Sequence, residues 1–205
     1  MLQDPRHKNK IFNTATIGDY LRDYADSLRD ALVSVDTDQL DLALESINIC
    51  AKMGKRIFAI GNGGSSSVAE HLSCDMTKGT HCHGHNVIDT TSMSANTALY
   101  SAIANDFGFE NVFSTQVDML GQPGDILIAI SSSGNSENIW KAVEAANAKS
   151  MVTIGLTGFK GGKLRDTAGI KLHVDIENYG IVEDVHMSLM HVMAQYIAAQ
   201  RDGRA

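Results

Sequence analysis

Two segments with the same local grammar constrain this chain more than any other feature. Arg56-Ile-Phe-Ala-Ile60 is a short apolar run that leads directly into Gly61-Asn62-Gly63-Gly64-Ser65-Ser66-Ser67. Seventy residues later Asp125-Ile-Leu-Ile-Ala-Ile130 leads into Ser131-Ser132-Ser133-Gly134-Asn135-Ser136. Each loop runs on into a helix-like segment. Strand, then a glycine- and hydroxyl-rich turn, then helix is how an α/β protein holds an anion. Backbone N–H groups and the helix N-terminus point at the charge, and serine hydroxyls add neutral donors. A tight βα connection also needs Gly and Ser for its turn alone. Two such loops in one small domain favour the first reading, a phosphorylated ligand gripped from two sides. The first loop is not a dinucleotide fingerprint, because Ser66 stands where the third Gly of G-x-G-x-x-G belongs. It also lacks the Gly-Lys-Ser/Thr ending of a nucleoside-triphosphate loop. No nucleotide cofactor is expected.

Residues 1–14 are polar and carry no secretory pattern. Asp19 to Val35 and Leu40 to Lys52 have helical periodicity and are separated by the turn chemistry of Ser34 to Asp38, which predicts an N-terminal α-hairpin. From Lys55 onward short apolar runs alternate with helical patterns. Strands are expected at 56–60, 86–89, 125–130, 151–156 and 171–175, and helices at 65–78, 94–104, 109–119, 136–148, 162–167 and 182–200. That alternation predicts a single α/β domain over 1–205, with a helical extension at 1–54. Its core at 55–200 is a five-stranded, mostly parallel sheet covered on both faces. A net charge of −7 argues against nucleic acid as the main ligand. No apolar run is long enough to span a membrane. Cys50, Cys74 and Cys82 are too scattered for a disulfide framework, so a cytoplasmic location is expected.

The titratable candidates sit on two helices. His71 and Asp75 are four apart on the helix that leaves the first loop, so they share a face. Glu183, His186 and His191 lie on the last long helix; Glu183 and His191 are eight apart, with His186 three from Glu183. Such groups on a buried side are costly unless paired or used. A lone histidine is often structural, and Asp75 could pair with Lys78. His71, Asp75, Glu183 and His191 could together ligate a divalent metal. His81-Cys82-His83-Gly84-His85 fits no standard finger spacing and reads as a surface loop. Thr157-Gly-Phe-Lys-Gly-Gly-Lys163 reads as a βα turn with a solvated lysine.

Taken in order, several motifs resemble the phosphoheptose isomerases, sugar-isomerase (SIS) domain proteins. They are the first serine loop, His71 and Asp75, Ile103-Ala-Asn-Asp-Phe-Gly-Phe109, the second serine loop, Gly155-Leu-Thr-Gly158, and Glu183 and His191. The resemblance implies a flavodoxin-like three-layer sandwich and a homotetramer. It implies conversion of sedoheptulose 7-phosphate to D-glycero-D-manno-heptose 7-phosphate, an early step toward lipopolysaccharide or capsule heptose. By motif match, Asn62, Gly63, Gly64 and Ser65 would line the sugar-phosphate site, with Asn105 and Asp106 on the sugar and Ser131, Ser132, Ser133 and Ser136 on the phosphate. His71, Asp75, Glu183 and His191 would fall on zinc-ligand positions, one ion per subunit. Asp75 and His191 would also be the acid/base pair, and Glu183 would face the substrate.

Three positions depart from the family pattern. Asp75 replaces a usual Glu, Glu183 a usual Gln, and a basic residue is missing around Lys78-Gly79. A 1 Å misplacement of a base can cost ~100-fold in rate. A carboxylate at 183 would strengthen metal binding or raise the pKa of a neighbouring acid. The rival reading is a non-catalytic SIS module that binds phosphosugars or associates with replication initiators. Relatives of that kind lack the catalytic histidine, whereas His71 and His191 are both present here. A third possibility is another sugar-phosphate enzyme of the same fold.

Overall fold

The computed structural model describes residues 12–204. The polar start expected over 1–14 therefore lies, up to residue 11, outside the described residues. Helix α1 (Ile17–Val33) opens on Thr16, whose hydroxyl accepts from the Asp19 N–H. Helix α2 (Thr37–Lys52) opens on Asp36, whose carboxylate accepts from the N–H groups of Asp38 and Gln39. Next come β1 (Ile57–Gly61), α3 (Gly64–Cys74), a π turn (Asp75–Gly79), β2 (Thr90–Ser92), α4 (Thr97–Phe107), a 3₁₀ turn (Phe109–Asn111) and α5 (Ser114–Leu120). The chain closes with β3 (Ile126–Ser131), α6 (Glu137–Ala148), β4 (Val152–Thr157), α7 (Gly162–Thr167), β5 (Ile170–His173) and α8 (Tyr179–Arg201).

The five strands form one parallel sheet in the order β2-β1-β3-β4-β5. The central strands are buried on both faces, which is why they read as unbroken apolar runs. Alternate side chains feed two separate cores. Ile57, Ala59, Ile126, Ile128 and Ile130 pack against α2, α3 and α8. Phe58, Ile60, Leu127 and Ala129 pack against α4 to α7. The result is the three-layer sandwich expected from the alternation. The N-terminal hairpin is part of this body: α2 places Ala43, Leu44, Ile47 and Cys50 in the first core, and α1 runs along α8. Buried Asp125 ties the starts of β1 and β3 by accepting from the N–H groups of Arg56 and Gln122.

Three elements differ from their sequence expectation. The edge strand is Thr90–Ser92 rather than 86–89, because pairing with β1 begins where Ile57 donates to the Asp89 carbonyl. Val87, which suggested the earlier strand, is exposed. The helix expected to run through 78 stops at Cys74 and continues as the π turn. The segment 109–119 divides into a 3₁₀ turn and α5. Among the described residues no helix is long and apolar enough to cross a membrane.

Candidate active site

The order of the sheet decides where a ligand can enter. The chain leaves β1 toward β2 on one side and returns through β3 on the other, so the loops after β1 and β3 diverge and leave a crevice between them. Both serine loops end up there. Gly61 must be glycine for close approach, since a Cβ would sit 2.4 Å from the Ser65 backbone. That turn aims the N-terminus of α3 into the crevice, and the second loop does the same for α6. A cavity of about 140 Å³ lies between them, lined by Asn62, Ser65, Ser131, Ser132, Ser133, Ser136, Tyr179 and Glu183. Ser131 Oγ donates to Ser136 Oγ at 3.4 Å. The Ser132 hydroxyl is buried and finds no partner among the described residues, which leaves a donor facing a ligand-sized space. Asn62 and Asn138 exchange two amide hydrogen bonds of 2.9 Å each and join the first loop to α6.

Helix α8 supplies the far wall. The Glu183 carboxylate lies over Gly64, where a Cβ would come within 2.7 Å of Oε2. Burial, reinforced by neighbouring Asp184, raises the Glu183 pKa above the usual carboxylate value. Asp184 in turn accepts a 2.5 Å hydrogen bond from Tyr24 of α1.

Farther along α8, His191 reaches the segment after α3. Its Nδ1 is 3.1 Å from Asp75 Oδ2, and His71 Nε2 is 3.6 Å from Asp75 Oδ1. The two imidazoles stand edge to face, 4.9 Å between centroids. Asp75 therefore pairs with histidines and not with Lys78. It opens the π turn, whose end is fixed by the Thr80 N–H donating to the Asp75 carbonyl. Thr77 pins the same turn to the edge strand by donating to the Ile88 carbonyl and accepting from the Thr90 N–H. The ligand atoms of His71, Asp75 and His191 all lie within 4.8 Å of one another. Two imidazoles and a carboxylate, partly open to solvent, are the donor set of a three-ligand zinc site with a free position. Glu183 is not part of that group; it faces the hydroxyl cup instead.

Comparison with known proteins identifies the family. The family model for the SIS domain matches residues 19–158. A phosphoheptose isomerase from Laribacter hongkongensis is 38% identical over 158 residues, 76% of this chain and 80% of its own length. One from Shewanella denitrificans is 36% identical over 163 residues, covering 78% and 83%. The chain belongs to the phosphoheptose isomerases of the SIS-domain family. The solved phosphoheptose isomerase from Neisseria gonorrhoeae superimposes with a TM-score of 0.80 at 32% identity, covering 88% of this chain and 96% of that one.

Other residues singled out in this SIS-domain chain take different places. Asn105 and Asp106 sit at the exposed end of α4, hydrogen-bonded to each other at 2.8 Å, and line neither the cup nor the histidine cluster. His81, His83 and His85 are exposed, as a surface loop requires, and join no metal-sized cluster among the described residues. The 157–163 turn is more than a connection with a solvated lysine. Lys163 Nζ pairs with Glu144 at 2.9 Å and stands 3.1 Å from the Trp140 ring centroid. One cup residue and one of its supports escaped the sequence reading. Tyr179 precedes Glu183 by one helical turn, a spacing that could have found it; Asn138, inside α6 and bonded to Asn62 behind the cup, carries no such signal.

His186 is fully buried, and among the described residues neither ring nitrogen has a partner at full hydrogen-bond geometry. Burial lowers its pKa to about 4, only partly opposed by the Thr157 backbone. The unfolded chain binds this proton below the ordinary value of 6.5, and the folded chain does so only near 4. Stability is thus fully present above about 6.5 and declines as pH falls toward 4. The expected loss from this group is about 3 kcal/mol. Urea melts at pH 7, 5.5 and 4 should show that decline in the wild type and a shallower one in His186→Met. Parallel profiles for the two proteins would contradict it.

Proposed function

We propose that the protein is an aldose–ketose isomerase that converts sedoheptulose 7-phosphate to D-glycero-D-manno-heptose 7-phosphate through a 1,2-enediol. One observation carries this reading: α8 bears both the wall of the hydroxyl cup at Glu183 and the imidazole of the acid/base pair at His191. Eight residues of helix separate the two by roughly 12 Å. An extended seven-carbon chain has the same order of length between its phosphate and its carbonyl end. With the phosphate among Ser131, Ser132, Ser133, Ser136, Asn62, Gly63, Gly64 and Ser65, carbons 1 and 2 fall beside Asp75 and His191.

The chemistry needs two proton movements. A proton leaves C1 while O2 gains one, giving the enediol; then O1 loses a proton and C2 gains one. Asp75 takes one of these roles and His191 the other, and their 3.1 Å contact holds both on the same edge of the substrate. A zinc ion held by His71, Asp75 and His191 would supply Lewis-acid polarisation of the substrate oxygens. The phosphate contacts lie remote from the reacting carbons and fix the sugar's position. Deuterium incorporation at C1 or C2 in heavy water, followed by NMR with and without chelator, tests the reading. A wild-type protein that leaves sedoheptulose 7-phosphate unexchanged in every condition would refute it.

Glu183 places a carboxylate among the phosphate donors. Glu183→Gln is expected to tighten inorganic phosphate binding at pH 8 about tenfold, equivalent to about 1.4 kcal/mol. Calorimetry that found equal or weaker binding would show that this carboxylate does not face the anion.

The same reading makes the enzyme a cytoplasmic homotetramer. Ile17 and Leu21 of α1 are 84% and 66% exposed, and α4 buries only Ile103. These are faces an assembly would cover, and Asn105 and Asp106 would act on the sugar there. Sedimentation as a monomer at micromolar concentration would overturn the assembly.

A further inference from the structure

A second cavity, of about 510 Å³, lies where the C-terminal ends of α2 and α8 meet the loop after the π turn. Its polar lining is Asn48, Lys52, His85, Asn86, Gln200 and Arg201. Among the described residues no aspartate or glutamate lines it, although the chain carries a net charge of −7. Two helix C-termini would ordinarily make such a place negative. Here their carbonyls are already taken. The Asn86 amide donates to the Ala51 carbonyl at 3.0 Å, and the N–H groups of Asp202, Gly203 and Arg204 donate to the carbonyls of Ala198, Gln200 and Ala199. The neighbouring Asp202 carboxylate is engaged by Arg204. An ammonium, a guanidinium, an imidazole and the amides of Asn48 and Gln200 remain, a donor-rich set suited to a phosphate group.

Arg201 also connects this cavity to the candidate active site. Its Nη1 donates to the Thr80 carbonyl at 3.0 Å, and the Thr80 N–H donates to the Asp75 carbonyl at 3.1 Å. Whatever draws the guanidinium into the cavity pulls on the end of the π turn that Asp75 begins. We infer that this cavity binds a small phosphorylated metabolite as an effector, and that occupancy reaches Asp75 through the Arg201–Thr80 contact. The ligand is recognised by its phosphate charge and by hydroxyls that meet the amides of Asn48 and Gln200. The second part of the inference rests on the isomerase reading; the first does not.

Inorganic pyrophosphate is a suitable probe. It is titrated by calorimetry into the full chain carrying Ser131→Ala and Ser136→Ala, which disable the hydroxyl cup. Binding with a Kd below about 1 mM should remain, and adding Lys52→Gln and His85→Gln, both exposed positions, should weaken it at least about tenfold. Absence of that residual binding, or indifference to the two changes, overturns the site whatever the enzyme's substrate proves to be. At saturating sedoheptulose 7-phosphate, pyrophosphate should change kcat of the wild type by about fivefold or more, the low end of typical coupling between sites. Lys52→Gln/His85→Gln should abolish that change. An unchanged kcat, or an effect confined to KM that survives in the double variant, would mean competition at the cup and would overturn the coupling.

Discussion

His191→Ala is expected to lower kcat on sedoheptulose 7-phosphate by about a thousandfold, within the range contributed by a positioned acid or base. Phosphate affinity should be nearly unchanged, because the cup is two turns of α8 away. The side chain is 38% exposed, so its removal leaves no core cavity and thermal stability should change little. Deuterium exchange at C1 and C2 should fall with turnover. A shared role as metal ligand would lower activity too, and His71→Ala separates the possibilities. His71 stands 3.6 Å from Asp75 Oδ1, beyond hydrogen-bond reach, whereas His191 makes a hydrogen bond to Oδ2. If excess zinc restores His71→Ala but not His191→Ala, proton transfer is the role of His191. Turnover in His191→Ala within tenfold of wild type would remove it from the mechanism.

The parts of this site that were legible in the sequence are those set by local rules. Central strands buried on both faces must be continuous apolar runs, so β1, β3 and β4 are plain in the chain. The edge strand Thr90–Ser92 is not, because an edge needs no such run and the apolar Val87-Ile88 pair stands just before it. His71 and Asp75 share a face at a spacing of four, which the sequence alone establishes. That His191, 116 residues on, closes on the same carboxylate depends on α8 lying against α3, a tertiary fact. The π turn was illegible for a similar reason. Asp75-Met-Thr-Lys-Gly79 has the composition of a helix end, and its form is fixed by Thr77 bonding to distant Ile88 and Thr90. Glu183 and His191 share a helix face by count, yet two turns of helix carry them to different surroundings. Spacing gives direction around an axis, and the partner across the gap decides what each side chain does.

Gly134→Ala should be the most damaging single methyl group in the cup. Gly134 has φ of +66°, and a Cβ there would lie 1.8 Å from the Gly161 carbonyl oxygen, a backbone atom with little room to yield. The two loops are also joined by the Leu164 N–H donating to the Gly134 carbonyl at 2.9 Å. Relieving the clash therefore means prising the third loop from the second, breaking that bond and moving the start of α7. Left-handed strain alone costs about 1 kcal/mol, and the forced separation should bring the total to about 3 kcal/mol or more. For a domain of this size that corresponds to a fall in Tm of roughly 6–12 °C. Gly54→Ala provides the control, since Gly54, just past the end of α2, has a comparable φ of +63° but a Cβ there meets nothing within 4 Å. Its loss should be limited to the strain, about 1 kcal/mol. Equal destabilisation by the two changes would show that the contact with Gly161 is not what holds the second loop. A larger loss at Gly134, accompanied by weaker phosphate binding in whatever folded protein remains, would show that the 158–162 segment buttresses the cup from behind. The glycine of the serine loop would then be fixed by the neighbouring strand's turn as much as by the anion it faces.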